Sequence, residues 1–247
     1  MIRAVVFDFD NTLEEWIPYE HEVDRKLAEK IEHEQGIPAD DFIKVWDNIK
    51  LSYLKSHSIP QDYSRDSWLN EAFAHFNKEV DVDAYVKYYW DELVSRIKPF
   101  PGVLEVLQQL SGKYKLGILS DSDGGRHWKL LRIKKLGIMP YFDAIVTSDD
   151  VGANKPHPRM FMHVCQELEV SPEECLMVGD KPPIDLSMAK HLGFTTVWMR
   201  QGLTEEARDV RYPYVDNVID DIKELLGLLN EKATQVGHQE ALGTTTV

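Results

Sequence analysis

Cysteine is scarce in this 247-residue chain. There are two, Cys165 and Cys175, and their spacing is neither that of a zinc site nor that of a C-x₂-C redox pair. Both are expected as small buried apolar residues. Long apolar runs are missing as well: no stretch approaches the ~18 residues needed to cross a membrane. The opening MIRAVVFDFD lacks the apolar core and small-residue cleavage site of a signal peptide. The cytoplasm is therefore the expected compartment, with no membrane partner. Positive charge is in deficit, with 28 Lys and Arg against 42 Asp and Glu and a formal net charge of −14. Such a field repels phosphate backbones and anionic lipid, so nucleic acid is excluded as an expected partner. The same field disfavours a small phosphorylated ligand, and a site for one has to bring its own cations: a metal ion, a lysine, or helix N-termini.

What is present describes an ordinary globular protein. Hydrophobic residues make up 43% and charged residues 28% of the chain, enough apolar material for one large α/β domain or for a core with a smaller insertion. The run from Ile2 to Phe9 is short, β-branched and aromatic, and stops at an Asp-rich turn, as a buried strand does. The same signature returns at 115–120, 144–147, 175–179 and 195–198. Helical stretches lie between, near 102–111, 125–137, 158–169 and 184–192. This alternation predicts a parallel sheet covered on both faces.

Residues 16–98 break the alternation. They show helical periodicity over 18–35, with Val23, Leu27 and Ile31 on one face, and again over 39–56, 65–77 and 82–97, introduced by Pro- or Asp-type start signals. The expected organisation is a Rossmann-like, doubly wound parallel core (1–14 and 99–230), an inserted four-helix unit (15–98) and a polar, flexible tail (231–247).

Four short segments carry chemistry. Asp8-Phe9-Asp10-Asn11-Thr12 closes the first strand, and ligands of doubly wound sheets sit at the carboxyl ends of strands. Taken alone, Asp and Asn here are as well explained by turn or cap formation. Ser120, at the end of the second strand, can donate to a phosphoryl oxygen, with the N–H groups of the following Asp121-Ser122-Asp123-Gly124-Gly125 loop as a small anion nest. Lys155 lies between Asn154 and Pro156-His157-Pro158, where two prolines restrain the loop, and it is the best-placed cation for a phosphate. Asp180 follows the strand ending at Gly179, and Asp185 stands at a helix start, where a carboxylate also serves as an N-cap. With Asp8, Asp180 and Asp185 make an oxygen-only set of the kind Mg²⁺ prefers.

The four segments, in this order and at strand ends, resemble the signature of the haloacid dehalogenase (HAD) superfamily phosphatases over roughly 1–14 and 99–228. The helical insertion is similar to that superfamily's C1 cap. The resemblance implies a Mg²⁺-dependent hydrolase of a small phosphorylated metabolite. Asp8 would be the nucleophile that becomes an aspartyl phosphate. Asp10 would protonate the leaving oxygen and then deprotonate water, which calls for a raised pKa. Mg²⁺ would be held by Asp8, the Asp10 carbonyl, Asp180 and Asp185. Ser120, Asp121 and Lys155 would bind phosphate, and Thr12 would orient the turn or Asp10. Lys181 departs from the pattern, standing where the family more often has a small or neutral residue, and solvent is its expected environment.

A dehalogenase of the same superfamily typically lacks the second Asp and the Gly-Asp pair. A phosphomutase keeps all four segments and differs in the phosphoryl acceptor. A non-catalytic phosphometabolite-binding protein has no need of the intact Asp8/Asp10 pair. Substrate choice is expected to rest with the insertion, where Trp16, Tyr19, Trp46, Lys50 and Tyr53 are the candidates, with hinges near 13–16 and 97–101.

Overall fold

The computed structural model describes residues 1–56, 59–122, 124–201 and 210–231. Apart from residue 231, the C-terminal stretch read above as a tail lies outside the described residues.

Six strands, β1 (Ala4–Phe7), β2 (Lys115–Ser120), β3 (Ala144–Thr147), β4 (Cys175–Gly179), β5 (Thr195–Met199) and β6 (Asn217–Ile219), form one sheet in the order β3-β2-β1-β4-β5-β6. Every neighbouring pair is parallel. Because side chains alternate across a strand, each strand feeds two cores. Val5 and Phe7 of β1, Ile118 of β2 and Val178 of β4 enter one hydrophobic cluster. Ala4 and Val6, Leu119, and Cys175 and Met177 enter the other. This two-sided burial is why the strands read as continuous apolar runs.

Among the described residues the helices are α1 (Ile17–Gln35), α2 (Ala39–Ser56), α3 (Arg65–His75), α4 (Asp83–Arg96), α5 (Val103–Leu110), α6 (Arg126–Lys135), α7 (Ser148–Val151), α8 (Pro158–Leu168) and α9 (Ser187–Leu192), followed by a helical stretch at 224–231. The cluster on one sheet face takes in Val106 and Leu107 of α5, Ile133 of α6 and Leu225 and Leu229 near the end. Met160, Phe161 and Val164 of α8 and Ala189 of α9 cover the other face.

Helices α1 to α4 follow the expected ranges closely. α1 packs on α2 and α4, and α3 packs on α2 and α4. Their apolar stripes meet in an aromatic interior in which Trp46 stacks with Phe42 and meets Trp68 edge-on, at ring-centroid separations of 5.8 and 5.6 Å. Geometries of this kind add stabilisation beyond burial alone. The two chain crossings between this bundle and the sheet pair with each other: Phe100 N–H donates to Leu13 O (3.1 Å) and Glu15 N–H to Lys98 O (3.2 Å).

Three local features differ from the sequence reading. β1 is confined to Ala4–Phe7, because the chain turns after Asp8, whose N–H makes a last bond to Val178 O. A wide helical turn at Pro182–Leu186 precedes α9, so the regular helix starts at Ser187 rather than at 184. The edge strand β6 has three residues, too few to show an alternation.

Candidate active site

After Phe7 the chain pairs once more, with Asp8 N–H donating to Val178 O at 2.9 Å, and then folds back so that Leu13 N–H reaches Phe9 O. Asn11 occupies the left-handed region of that turn (φ 58°), which Asn tolerates better than most residues. Its Oδ1 accepts from the N–H groups of Trp16 and Ile17, both at 3.2 Å, so it satisfies donors that the start of α1 leaves free. One turn therefore presents Asp8 and Asp10 at the carboxyl end of the sheet and launches the helical insertion.

Four strand-end segments converge on a cavity of about 190 Å³ lined by Asp8, Asp10, Asp121, Lys155 and Asp185, among others. Asp8 is 5% exposed and Lys155 2%. Lys155 Nζ sits 2.5 Å from Asp8 Oδ1 and 2.7 Å from Asp185 Oδ1. Its own N–H donates to Asp121 Oδ1 at 2.8 Å, so the second-strand loop holds the lysine loop in place. Asp185 Oδ2 accepts from Lys181 N–H. Its close approach depends on Gly179, where an added Cβ would lie 2.5 Å from Asp185 Cβ.

Carboxylate oxygens of Asp8, Asp180 and Asp185 lie within 4.8 Å of one another. Three acids so near each other and so far from water repel and desolvate one another. Burial pushes the Asp180 carboxyl well above its usual range, with Asp8 and Asp185 adding to the shift against the pull of Lys181. Burial raises Asp8 too, the opposing pull of Lys155 being outweighed once Asp185 and Asp10 are counted. Lys155 is held well above an ordinary lysine, since Asp185 and Asp8 outweigh the cost of burying its charge. Asp180 Oδ1 is buried with no hydrogen-bond partner among the described residues. A buried carboxylate oxygen left without a donor is a natural ligand position for a hard divalent cation.

Several expectations need correction. Thr12 Oγ1 donates to Asp8 Oδ2 at 3.3 Å, so it braces Asp8 rather than Asp10. Ser120 is fully buried, its hydroxyl donating to Asp121 O at 3.2 Å; Asp121 and Ser122 line the cavity, and Ser120 is not among its lining residues. Within the anion nest expected there, Ser122 N–H is already given to Ser148 Oγ at 2.8 Å. Lys181 reaches solvent as expected and also lines the cavity. Of the five candidates in the insertion, Trp16 lines the cavity. Trp46 and Lys50 instead turn into the bundle, bonding Asp24 at 2.8 and 2.7 Å.

Asp10 departs furthest from expectation. Its carboxylate receives Lys129 Nζ at 2.5 Å and Arg132 Nη1 at 2.6 Å, and the same guanidinium nitrogen bonds Glu14 Oε1. Lys129, Arg132 and Glu14 are fully buried. Burial alone would raise Asp10, but Arg132 and Lys129 outweigh it and hold the carboxyl well below its ordinary value. The raised pKa needed by a general acid is thus reversed in this arrangement. The pressure appears instead at Glu14, which burial, aided by Asp10, drives well above 4.5 against the pull of Arg132.

The sequence held a signal for these cations. Lys129, Arg132, Ile133 and Leu136 fall at i, i+3, i+4 and i+7, and all four are buried. Two charges on the apolar stripe of a helix require buried partners. Glu20 and Arg65 of the insertion also line the cavity and were not singled out by pattern.

A family model described as haloacid dehalogenase-like hydrolase matches residues 2–193. The chain is 30% identical over 233 residues to a glyceraldehyde 3-phosphate phosphatase from Pyrococcus furiosus, covering 94% of each protein. It is likewise 30% identical over 241 residues to the protein of that name from Methanopyrus kandleri, covering 94% of this chain and 99% of the relative. A crystal structure of a HAD phosphatase from Thermococcus onnurineus superposes with a TM-score of 0.73 at 28% identity, covering 92% of this chain and 98% of the other. With the sheet order and the gathered strand-end carboxylates already in place, these matches establish that the chain belongs to the haloacid dehalogenase-like hydrolase family.

Proposed function

We propose that this chain is a phosphomonoester hydrolase acting on a small phosphorylated metabolite, with Asp8 as the covalent nucleophile. The observation that carries the reading is the placement of the Asp8 carboxylate at the cavity floor, within 4.8 Å of Asp180 and Asp185 oxygens and 2.5 Å from the buried Lys155 ammonium. Relatives named as phosphatases along almost the whole length support it. Residues 15–98 act in this reading as a helical cap over a core of 1–14 and 99–230. The buried free thiols Cys165 and Cys175 fit a reducing, cytoplasmic setting.

The residues fit a Mg²⁺ ion: three hard carboxylates gathered within 4.8 Å, one with a buried oxygen that has no partner among the described residues. Asp8, Asp180 and Asp185 would hold it, together with the Asp10 carbonyl. When bound, such an ion offsets the carboxylates and polarises the phosphoryl oxygens.

Lys155 binds a further phosphoryl oxygen, exchanging part of its contact with Asp8 and Asp185 for the substrate's charge. Asp8, braced by Thr12, attacks phosphorus as the bond to the leaving oxygen breaks, which gives an aspartyl phosphate and the alcohol. Water then attacks phosphorus, inorganic phosphate departs and the Asp8 carboxylate returns. Asp10, held as an anion by Lys129 and Arg132, is suited to take the proton from that water. The proton that Asp10 takes from that water is the one it gives to the leaving oxygen of the next substrate, so in the first half-reaction Asp10 carries a proton and loosens its bonds to Lys129 and Arg132. Phosphate release from p-nitrophenyl phosphate with Mg²⁺, lost with EDTA and lost in Asp8→Asn, is the expected result. Turnover that survives the substitution removes Asp8 from its role.

A further inference from the structure

The cavity has two unlike walls. The sheet supplies the floor, where the phosphoryl chemistry sits. Facing it, the helical insertion presents Trp16, Ile17, Glu20, Tyr63, Arg65 and Trp68. Whatever part of the substrate is not phosphate meets this second wall. At about 190 Å³ the cavity is smaller than the roughly 300–1,000 Å³ of pockets for drug-sized ligands, so the remainder of the substrate is a short chain.

The wall's charge is internally balanced, Glu20 and Asp24 standing against Arg65 and Lys50. Arg65 Nη2 lies 3.3 Å from Glu20 Oε1 and 3.2 Å from Tyr89 Oη, and Nη1 donates to Tyr63 O at 3.0 Å. The guanidinium is 4.1 Å from the Trp68 ring centroid and 4.9 Å from that of Tyr89, which fixes its plane. Lys50 Nζ approaches the same Glu20 oxygen at 3.4 Å. Among the described residues, both ion pairs of Glu20 run to Oε1, and the carboxylate keeps acceptor capacity at Oε2.

Resting on the phosphatase reading, we infer that Glu20 and Arg65 form the specificity pair of this site, selecting short phosphomonoesters whose far end is uncharged and hydroxyl-bearing and rejecting those with a second anionic group. A substrate hydroxyl can donate to Glu20 without disturbing Arg65. A substrate carboxylate would face Glu20 as a like charge and compete with it for a guanidinium that rings and hydrogen bonds already hold. Discrimination of this type arises as much from repulsion as from attraction.

The test is a comparison of kcat/KM for glyceraldehyde 3-phosphate and glycerol 3-phosphate against 2-phosphoglycolate, with Mg²⁺ present. Wild-type enzyme is expected to favour the two uncharged-end substrates at least about tenfold. Glu20→Gln is expected to move the ratio toward phosphoglycolate by about tenfold or more, mainly through KM, while Glu20→Asp, which keeps the charge, retains the wild-type preference. The wild-type comparison stands even if a variant folds poorly, which melting curves reveal. Equal or better use of phosphoglycolate by the wild type overturns the inference, as does an unchanged ratio in folded Glu20→Gln. Absence of Mg²⁺-dependent p-nitrophenyl phosphate hydrolysis by the wild type would instead bring down the phosphatase reading.

Discussion

Arg132 and Asp10 are joined across the fold by a 2.6 Å contact between a fully buried guanidinium and the carboxylate that closes the first strand's turn. Through Glu14, bonded to the same nitrogen and bridged to Pro99, the contact reaches both chain crossings into the helical insertion. Removing one partner of such a set strands the others in a low-dielectric interior. Arg132→Met should therefore cost about 3–5 kcal/mol in urea unfolding. Adding Glu14→Gln to that variant should recover part of the loss, because one stranded acid is gone.

The second prediction concerns Asp10 and separates the two halves of the reaction. In Asp10→Asn, an aryl ester with a good leaving group should still phosphorylate Asp8, giving a burst of about one p-nitrophenolate per site. Steady turnover should fall by roughly 10²–10⁴, the usual worth of a positioned general base. Stopped-flow absorbance distinguishes this from loss of the whole reaction, in which the burst disappears too.

Metal binding should be visible in stability. A ligand present at 100 times its dissociation constant stabilises the folded state by about 2.7 kcal/mol, so Mg²⁺ should raise the melting temperature of the wild type. Asp180→Asn should abolish most of that rise while leaving the metal-free protein at least as stable as the wild type. The reason is that burial already strains the Asp180 carboxylate, whose Oδ1 has no partner among the described residues. Differential scanning calorimetry with and without Mg²⁺ reads both effects.

Acid sensitivity offers a check away from the cavity. Asp216 ties the start of β6 to β5, accepting from Thr196 N–H at 3.0 Å and from Lys190 Nζ at 2.5 Å. Burial would raise its carboxyl, but Lys190 and the Thr196 N–H outweigh it, and the folded-state value is below 3.8. A carboxyl depressed by folding contributes stability above its unfolded value and loses it as pH falls through the folded value. Asp216→Asn should cost about 1 kcal/mol at neutral pH, modest because the ion pair is solvent-screened. That difference should shrink toward zero as the pH drops below 3.8. Urea unfolding across a pH series measures it.

The strands and most helices were legible because their signals are local. Ala4–Phe7 and Cys175–Gly179 are apolar on both faces, as strands of a parallel sheet must be, and Val23, Leu27 and Ile31 mark one face of a helix. Asp8, Lys155, Asp180 and Asp185 were legible because each ends or follows a strand whose carboxyl end faces a common crevice. Partner choice was not legible. Whether Thr12 braces Asp8 or Asp10, and whether Asp10 is solvated or clamped by Lys129 and Arg132, depends on contacts spanning as many as 122 positions of sequence. The glutamate and arginine on the far wall, Glu20 and Arg65, stand 45 positions apart, and only the packing of both α1 and α3 on α2 and α4 brings them to one cavity.

A phosphoryl group carried on Asp8 is the proposed intermediate, and acid-quenched enzyme mixed with ³²P-labelled substrate and Mg²⁺ tests it directly. Label that survives acid, is released by hydroxylamine and maps to the peptide containing Asp8 is the expected result. Undiminished turnover with no label on that peptide, or with label on another residue, would contradict it.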